Sequence, residues 1–405
     1  MKRTLRLAVV LMLIASVSLF AGGAREADPN EFDLWTQEGE GDGGLQFVQS
    51  LADRFMEQNP GVTINVVDHD TESLREDFQT ASLAGSPPEL LWTVNDHAGP
   101  FTVADLIQPV QDFYNAADFI EPLELAGDYW GVPISSGNHL MLMYNRSLLP
   151  NPPQSTDELI SMSQEIMAQN SDVYGIVYNS LEAFWLVPWL GGFGGSVFAE
   201  DGVTPNLNTD AMVNTLQFLY DLEHTYGIVP EGSDYATIDT LFQEGRAAMA
   251  INGDWTIGQY RNALGDDFGI APIPMVSSTG QMPAPYTSGK YFMVSSSVEG
   301  ERLELIQRFI EFATSEEQQL RLVEEVGVLP ARLSVLENPI VTGDPLLTAS
   351  AEQMTYGVPM PSVVEMRAIW DAIGSEQNQV LGEGKDPAAA AADMQRIAET
   401  TISNM

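Results

Sequence analysis

Hydrophobic and polar positions alternate with two different periods along the first part of the chain. Val62, Ile64 and Val66 alternate with polar residues, which is the period-2 pattern of a half-buried strand. Between residues 45 and 56, apolar residues instead recur at helical spacing. With apolar runs at 32–36 and 88–93 and a helical segment at 72–83, the order is strand, helix, strand, helix, strand. This order predicts a mostly parallel sheet covered by helices on both faces.

The same alternation continues to the C-terminus. Ser155 and Ser315 are each followed three residues later by Glu or Gln, which predicts that a helix begins after each serine. Residues 209–226 have an amphipathic helical pattern, residues 247–251 read as a buried strand, and a long helix is predicted from Pro387. A chain of 405 residues is longer than one hydrophobic core usually serves, so two domains are expected. No Pro- or Ser-rich linker separates them, which indicates that the chain crosses between them more than once.

The N-terminus has the layout of an export signal. Lys2, Arg3 and Arg6 precede an apolar run at 7–20, and small residues follow at 21–24. The run is short for a membrane span, so residues 1–24 are predicted to be a cleavable signal peptide, with an uncleaved anchor as the alternative. The chain contains no cysteine. Disulfides, thiol nucleophiles, cysteine metal sites and a lipid-anchored N-terminal cysteine are therefore excluded.

The charge balance narrows the choice of partners. There are 17 basic and 57 acidic residues, giving a formal net charge of −40. Such a surface repels nucleic acid and anionic lipid, so neither is expected as a partner, and a polyanionic solute is disfavoured. Adaptation to a salty habitat explains the acidity more simply than recognition of a cation does.

Motifs for catalysis are missing. The sequence has no H-E-x-x-H pair, no G-x-S-x-G elbow and no phosphate loop, and the glycine-rich segment 191–195 lacks the lysine of such a loop. The many carboxylates leave a glycosidase pair open as a minor alternative, although no pair stands out by its setting. We therefore predict a protein without catalytic residues, cofactor or metal.

Aromatic residues stand beside polar acceptors at several places. A sugar presents flat apolar C–H faces ringed by hydroxyl groups, so a sugar site combines aromatic rings with carboxylate or amide side chains. The aromatic–polar pairs are Trp92 with Asp96, Glu182 with Trp185, Asp254 with Trp255, and Trp370 with Asp371. Together they indicate a carbohydrate site, while Trp92, Trp185 and Trp189 themselves are expected in the core.

Four segments, in the same order, resemble the extracellular solute-binding proteins of carbohydrate ABC importers, on the maltose/maltodextrin-binding branch of that family. Residues 144–153 read Y-N-R-S-L-L-P-N-P-P, close to the family's Y-N-K-D-L-L-P-N-P-P. Residues 242–255 resemble F-x-x-G-x-x-A-M-x-I-N-G-x-W, and residues 88–96 and 359–370 resemble two further family segments. The similarity extends from about residue 32 to the C-terminus.

This resemblance implies an α/β, type II periplasmic binding protein fold with two lobes joined by a multi-strand hinge. The implied N-terminal lobe comprises residues 28–136 plus 288–340, and the C-terminal lobe comprises residues 137–287 plus 341–405. The implied function is to bind a sugar, by closure of the lobes, and to present it to the membrane subunits of an importer. With a signal peptide and no cysteine, the protein is expected to be a free periplasmic monomer.

The resemblance also implies the site residues. Two of them are stacking rings, two are carboxylate acceptors, and the others occupy family positions for Tyr, Asn and Glu: Trp255 and Trp370, Asp96 and Glu182, then Phe184, Gln37 and Asn138. Other positions depart from the family, which has Trp at Thr93, Arg at His97, Asp-Lys at Gly39-Glu40 and Arg at Gly374. Maltose itself is thus not specified, and a polyol or a polyamine is the alternative solute.

Overall fold

The computed structural model describes residues 28–39, 43–120 and 122–405, so the predicted signal peptide lies outside the described residues. Within them the strands form two sheets, with nine and four strands. The larger sheet contains β1 Glu31–Thr36, β2 Thr63–Asp68, β3 Leu90–Val94, β4 Ile107–Gln108, β5 Leu123–Leu125, β6 Asp128–Gly137, β11 Tyr286–Ser295, β12 Leu329–Pro330 and β13 Val358–Pro359. The smaller sheet contains β7 Leu140–Asn145, β8 Tyr174–Tyr178, β9 Ala247–Gly253 and β10 Phe268–Ala271.

Helices cover both faces of each sheet. In chain order they are α1 Gly44–Gln58, α2 Thr71–Leu83, α3 Ala98–Val103, α4 Thr156–Gln169, α5 Val187–Gly192, α6 Asp210–Tyr220, α7 Tyr235–Gln243, α8 Ile257–Leu264, α9 Gly300–Ala313, α10 Glu316–Glu325, α11 Leu333–Leu336, α12 Pro339–Thr342, α13 Pro345–Met354, α14 Met366–Glu383 and α15 Pro387–Ser403. The helix starts predicted at Ser155 and Ser315 are confirmed, because each hydroxyl accepts the backbone N–H three residues on. The helix predicted at 209–226 corresponds to α6, which ends at Tyr220. One π-helical turn, Asp221–Thr225, continues it.

Strand residues alternate between the two cores that flank each sheet. In β7, Leu140 and Leu142 pack into one core while Met141 and Met143 pack into the core on the opposite face. In β11, Phe292 and Val294 pack into one core, and Tyr291 and Met293 pack into the core on the opposite face. This period-2 division is what a sheet covered by helices on both faces requires.

The sheets are less parallel than the element order predicts. β1 runs parallel to β2 and β3, as predicted, and β8 runs parallel to β9. β11, however, is antiparallel to β3 and β6, and β7 is antiparallel to β9 and β10. β11 and β7 enter their sheets from the other lobe, so they run against the strands they join. Apart from these strand directions, the α/β two-lobed fold class is confirmed.

Two long strands connect the lobes. β6 and the start of β11 pair with each other, and β6 leads within three residues into β7 of the other sheet. Gly289 lies opposite Ser136, and a Cβ atom on it would lie 2.1 Å from the carbonyl oxygen of Ser135. Close contact with the neighbouring strand therefore requires a glycine at this position. The residue boundaries of the lobes stay a prediction.

Candidate functional site

The two lobes contact each other where the strands of the larger sheet end. Asp96 follows β3, and its Oδ2 accepts a hydrogen bond of 3.1 Å from Nε1 of Trp370, which lies on α14 of the other lobe. The neighbouring Asn95 donates from Nδ2 to the carbonyl oxygen of Met360 and to the hydroxyl of Ser362, each at 2.9 Å. Ligands of open α/β sheets bind at the carboxyl ends of strands, so this junction is the candidate site.

Aromatic rings form a cluster that includes Trp370. The ring of Phe184 lies 6.2 Å from that of Trp370 and 6.4 Å from that of Trp255, measured between centroids. Tyr286, at the start of β11, contacts Trp370 edge to face at 6.0 Å and 83°. Burial, and then the nearby Asp96 carboxylate, raise the pKa of the Tyr286 hydroxyl, which stays a neutral donor or acceptor. Trp255, Trp370 and Phe184 are half-buried, so their rings keep exposed surface.

Local backbone geometry and one hydrogen bond orient Trp255. It lies in the single 3₁₀ turn that follows β9. A Cβ atom on Gly253 would lie 2.1 Å from the indole, so only glycine lets the ring fold back over the strand end. Nε1 of Trp255 donates to the hydroxyl of Tyr235 at 2.8 Å. The ring is thus held in one orientation.

Gln37 follows β1 at the same edge of the sheet as Asp96. Its Oε1 accepts hydrogen bonds from the backbone N–H of Val94 at 3.2 Å and from the hydroxyl of Thr93 at 3.0 Å. The hydroxyl of Thr93 also lies 2.8 Å from Nδ1 of His97, which is fully buried. Of the positions that depart from the family pattern, Thr93 therefore contacts a predicted site residue, and His97 contacts Thr93.

A carboxylate secures the crossover from β6 to β7. Asn138 has a left-handed backbone, with φ of 43°, and its N–H donates to Oδ2 of Asp254 at 3.1 Å. Burial raises the pKa of Asp254, while the charges of His139 and Lys290 oppose that shift. Since Asp254 directly precedes Trp255, the crossover is linked to the indole of Trp255 through this hydrogen bond.

A buried ion pair lies beneath the loop that carries Gln37. Nζ of Lys290, on β11, is 2.5 Å from Oε1 of Glu38, and the same oxygen accepts a 2.7 Å hydrogen bond from Nε1 of Trp92. The Glu38 and Lys290 side chains are only 4% and 11% exposed. The pair ties the loop after β1 to a strand that connects the lobes.

A family model described as "Bacterial extracellular solute-binding protein" matches residues 50–349. The chain belongs to that family. Among solved structures, this solute-binding protein is similar to a maltose/maltodextrin-binding domain from Bdellovibrio bacteriovorus bound to maltotriose, with 36% identity, a TM-score of 0.88, and coverage of 92% of this chain and 100% of that one.

Two further proteins extend the comparison. A maltotriose-binding protein of Pyrococcus abyssi is 28% identical over 374 residues, covering 89% of this chain and 80% of that protein. A Thermus thermophilus maltotriose-binding protein, solved with maltotriose, shares the fold with a TM-score of 0.84 at 23% identity, covering 92% of this chain and 100% of that one. The resemblance inferred from the sequence is thereby confirmed.

The fold of this solute-binding protein brings most of the predicted site residues together. Trp255, Trp370, Phe184 and Asp96 form one series of contacts, and Gln37 lies at the same strand edge as Asp96. Glu182 is exposed and precedes the turn that carries Phe184, and Asn138 lies at the crossover. Their roles toward a ligand stay a prediction.

The structure also adds residues that the sequence did not single out for the site. These are Tyr235, which orients Trp255, Tyr286, which packs on Trp370, and the pair Glu38 with Lys290. Trp92, Trp185 and Trp189 are buried at 2%, 3% and 0% exposure, as predicted for core residues. For Tyr286 and Lys290, the sequence signal that could have pointed to them is the Y-T-S-G-K-Y segment at 286–291, which places both on one strand.

The buried imidazole of His97 is expected to make the protein less stable in acid. Burial, and then the nearby Arg75 charge, lower its pKa from 6.5 to about 3. Between these pH values the unfolded chain binds a proton that the folded chain does not. This contribution to the free energy of unfolding should therefore be complete above pH 6.5 and fall by about 1.4 kcal/mol per pH unit down to pH 3.

Urea unfolding of wild type and His97→Asn across this range measures that slope. The difference between the two slopes isolates the contribution of His97, because the other titrating groups, including the buried His139, are common to both proteins. Identical slopes in the two proteins would show that His97 is protonated normally in the folded state.

Proposed function

We propose that this protein binds a short malto-oligosaccharide, such as maltotriose, at the junction between its lobes and presents it to an ABC importer. The observation that carries the proposal is the cluster of Phe184, Trp255 and Trp370 facing the Asp96 carboxylate of the other lobe. Rings of this kind pack on the apolar faces of glucose units, while carboxylate and amide groups bond the hydroxyls. The ligand of the 36% identical Bdellovibrio bacteriovorus structure supports the choice of sugar.

Binding would shift the population of lobe arrangements. A sugar that touches the rings of one lobe and the polar groups of the other binds the closed arrangement more tightly than an open one, so it favours closure. In the proposed division, residues 28–136 plus 288–340 move against residues 137–287 plus 341–405. The proposed partners are importer membrane subunits, which would recognise the closed form.

In the proposed function, the protein performs no chemistry on its ligand and needs no cofactor. It would be exported by residues 1–24 and act as a free periplasmic monomer. The family is extracellular by description. Among the described residues, no helix combines the length and the apolar character needed to cross a membrane.

A melting and calorimetry screen of the mature protein tests the proposal. Maltotriose at about 1,000 times its dissociation constant should add roughly 4 kcal/mol to the free energy of unfolding and raise the melting temperature. Cellotriose has the same glucose units in β linkage and should have a much smaller effect, because its straighter chain presents its faces differently. The sugar should be recovered unchanged after prolonged incubation.

The controls distinguish the alternatives. Sorbitol and spermidine represent the polyol and polyamine solutes, and neither should shift the melting temperature. Stabilisation by spermidine with none by maltotriose would overturn the sugar assignment. Release of glucose during incubation would overturn the non-catalytic one.

A further inference from the structure

The amide of Gln37 is held in one orientation. Its Oε1 accepts a hydrogen bond from the backbone N–H of Val94, a group that can only donate, so the oxygen and nitrogen of the amide are not interchangeable here. The hydroxyl of Thr93 donates to the same oxygen. The Nε2 group therefore points away from both, and within the described part of the chain it has no hydrogen-bond partner. Gln37 itself is half-buried at the strand edge next to Asp96.

The hydrogen bonds continue from Gln37 through Thr93 to His97. Thr93 has a single hydroxyl proton, which it donates to Gln37, so its contact with Nδ1 of His97 requires that Nδ1 carry a proton. His97 is neutral above about pH 3 because burial and the Arg75 charge lower its pKa. A neutral ring protonated at Nδ1 satisfies both contacts. The result is a directed series, His97 Nδ1–H to Thr93 Oγ1–H to Gln37 Oε1.

We propose that Gln37 is a fixed hydrogen-bond donor to a sugar oxygen, and that Thr93 and His97 are the positioning residues that aim it. This inference rests on the proposed function. Thr93 and His97 occupy the two positions where the resembled family has a tryptophan and an arginine. In place of a ring and a charged donor at those positions, this chain uses them to orient a neutral donor.

Orientation matters because the donor needs no reordering on binding. A glutamine at a surface loses side-chain freedom when it binds a ligand, whereas one already held at its oxygen loses little. A group held with its N–H₂ outward also discriminates between ligand atoms. Such an N–H₂ group binds a ligand that places an oxygen lone pair in front of it, and it disfavours a ligand that presents only a hydrogen there.

Gln37→Glu separates the donor from its support. A carboxylate has the same shape and still accepts from Val94 and Thr93, but at pH 8 it has no proton to donate. We expect maltotriose to bind about tenfold more weakly, measured by calorimetry, with the melting temperature of the free protein unchanged. Gln49→Glu, on the exposed face of α1, is the matched control for the added charge and should bind as wild type does.

Thr93 variants test the positioning role. Thr93→Val keeps the shape and removes one of the two hydrogen bonds that hold Oε1 of Gln37. The amide is then held less firmly by Val94 alone, and affinity should fall several-fold. Thr93→Ser restores the hydroxyl and should restore the affinity. Equal affinities for Thr93→Val and wild type would overturn the positioning role.

Two further readouts respond to the hydrogen bonds themselves. In a ¹⁵N spectrum of the four histidines, His97 should show the Nδ1–H tautomer at neutral pH, and an Nε2–H tautomer would contradict the directed series. In a set of monodeoxy maltotrioses, the analogue that lacks the recognised oxygen should lose affinity for wild type but not for Gln37→Glu.

The outcomes keep the two proposals apart. If wild type does not bind maltotriose, the proposed function fails. If wild type binds and Gln37→Glu binds equally well, the function stands and the donor role of Gln37 is overturned.

Discussion

Replacing Trp255 with alanine is expected to weaken maltotriose binding by at least about 100-fold, or about 2.7 kcal/mol. A tryptophan fixed in advance offers a large apolar face to the sugar and loses little freedom on binding. Trp255 is fixed in this way by its hydrogen bond to Tyr235 and by the close approach of Gly253. Calorimetric titration with maltotriose measures the loss directly.

A control shows that this loss is local. Trp130 is also half-buried, but it lies on β6 and donates to the carbonyl oxygen of Leu125, away from the aromatic cluster. Trp130→Ala should keep wild-type affinity even if its melting temperature falls. Wild-type affinity in Trp255→Ala, with the fold intact, would remove this residue from the site.

Hydrophobic periodicity predicted the elements well because it depends on neighbouring residues. The alternation at 62–66 became β2 and the helical spacing at 45–56 became α1. Strand direction is different, because a strand buried on both faces shows the same apolar run whichever way it points. The antiparallel placement of β11 thus follows from the path of the chain between lobes and not from its own residues.

Contacts between distant residues limit what could be predicted about the site. Trp255 stands out locally, because it comes two residues after Gly253, where a buried strand ends. The bond between Asp96 and Trp370 joins residues 274 positions apart, and only resemblance to a family suggested that both face one site. Thr93 and His97 were visible as departures from that family, but their shared purpose needed the position of the Gln37 amide.

Lys290→Met is expected to be the most destabilising of these substitutions, by about 3–5 kcal/mol, because it leaves the Glu38 carboxylate buried without its cation. The pair is nearly inaccessible to water, and Trp92 donates to the same carboxylate oxygen, so the environment of Glu38 has little room to adapt. Urea unfolding monitored by tryptophan fluorescence measures the change.

Two companion variants show whether the effect comes from burial of an unpaired charge. Arg246 pairs with Glu244 on the surface, with both side chains more than half exposed, so Arg246→Met should cost no more than about 1 kcal/mol. Adding Glu38→Gln to Lys290→Met removes the stranded charge and should recover most of the lost stability. If the double variant is as unstable as Lys290→Met alone, the loss comes from packing of the lysine chain and not from electrostatics. Recovery would instead show that the stranded Glu38 charge causes the loss, and that Lys290 of the connecting strand β11 is the cation that lets this carboxylate stay buried beside Gln37.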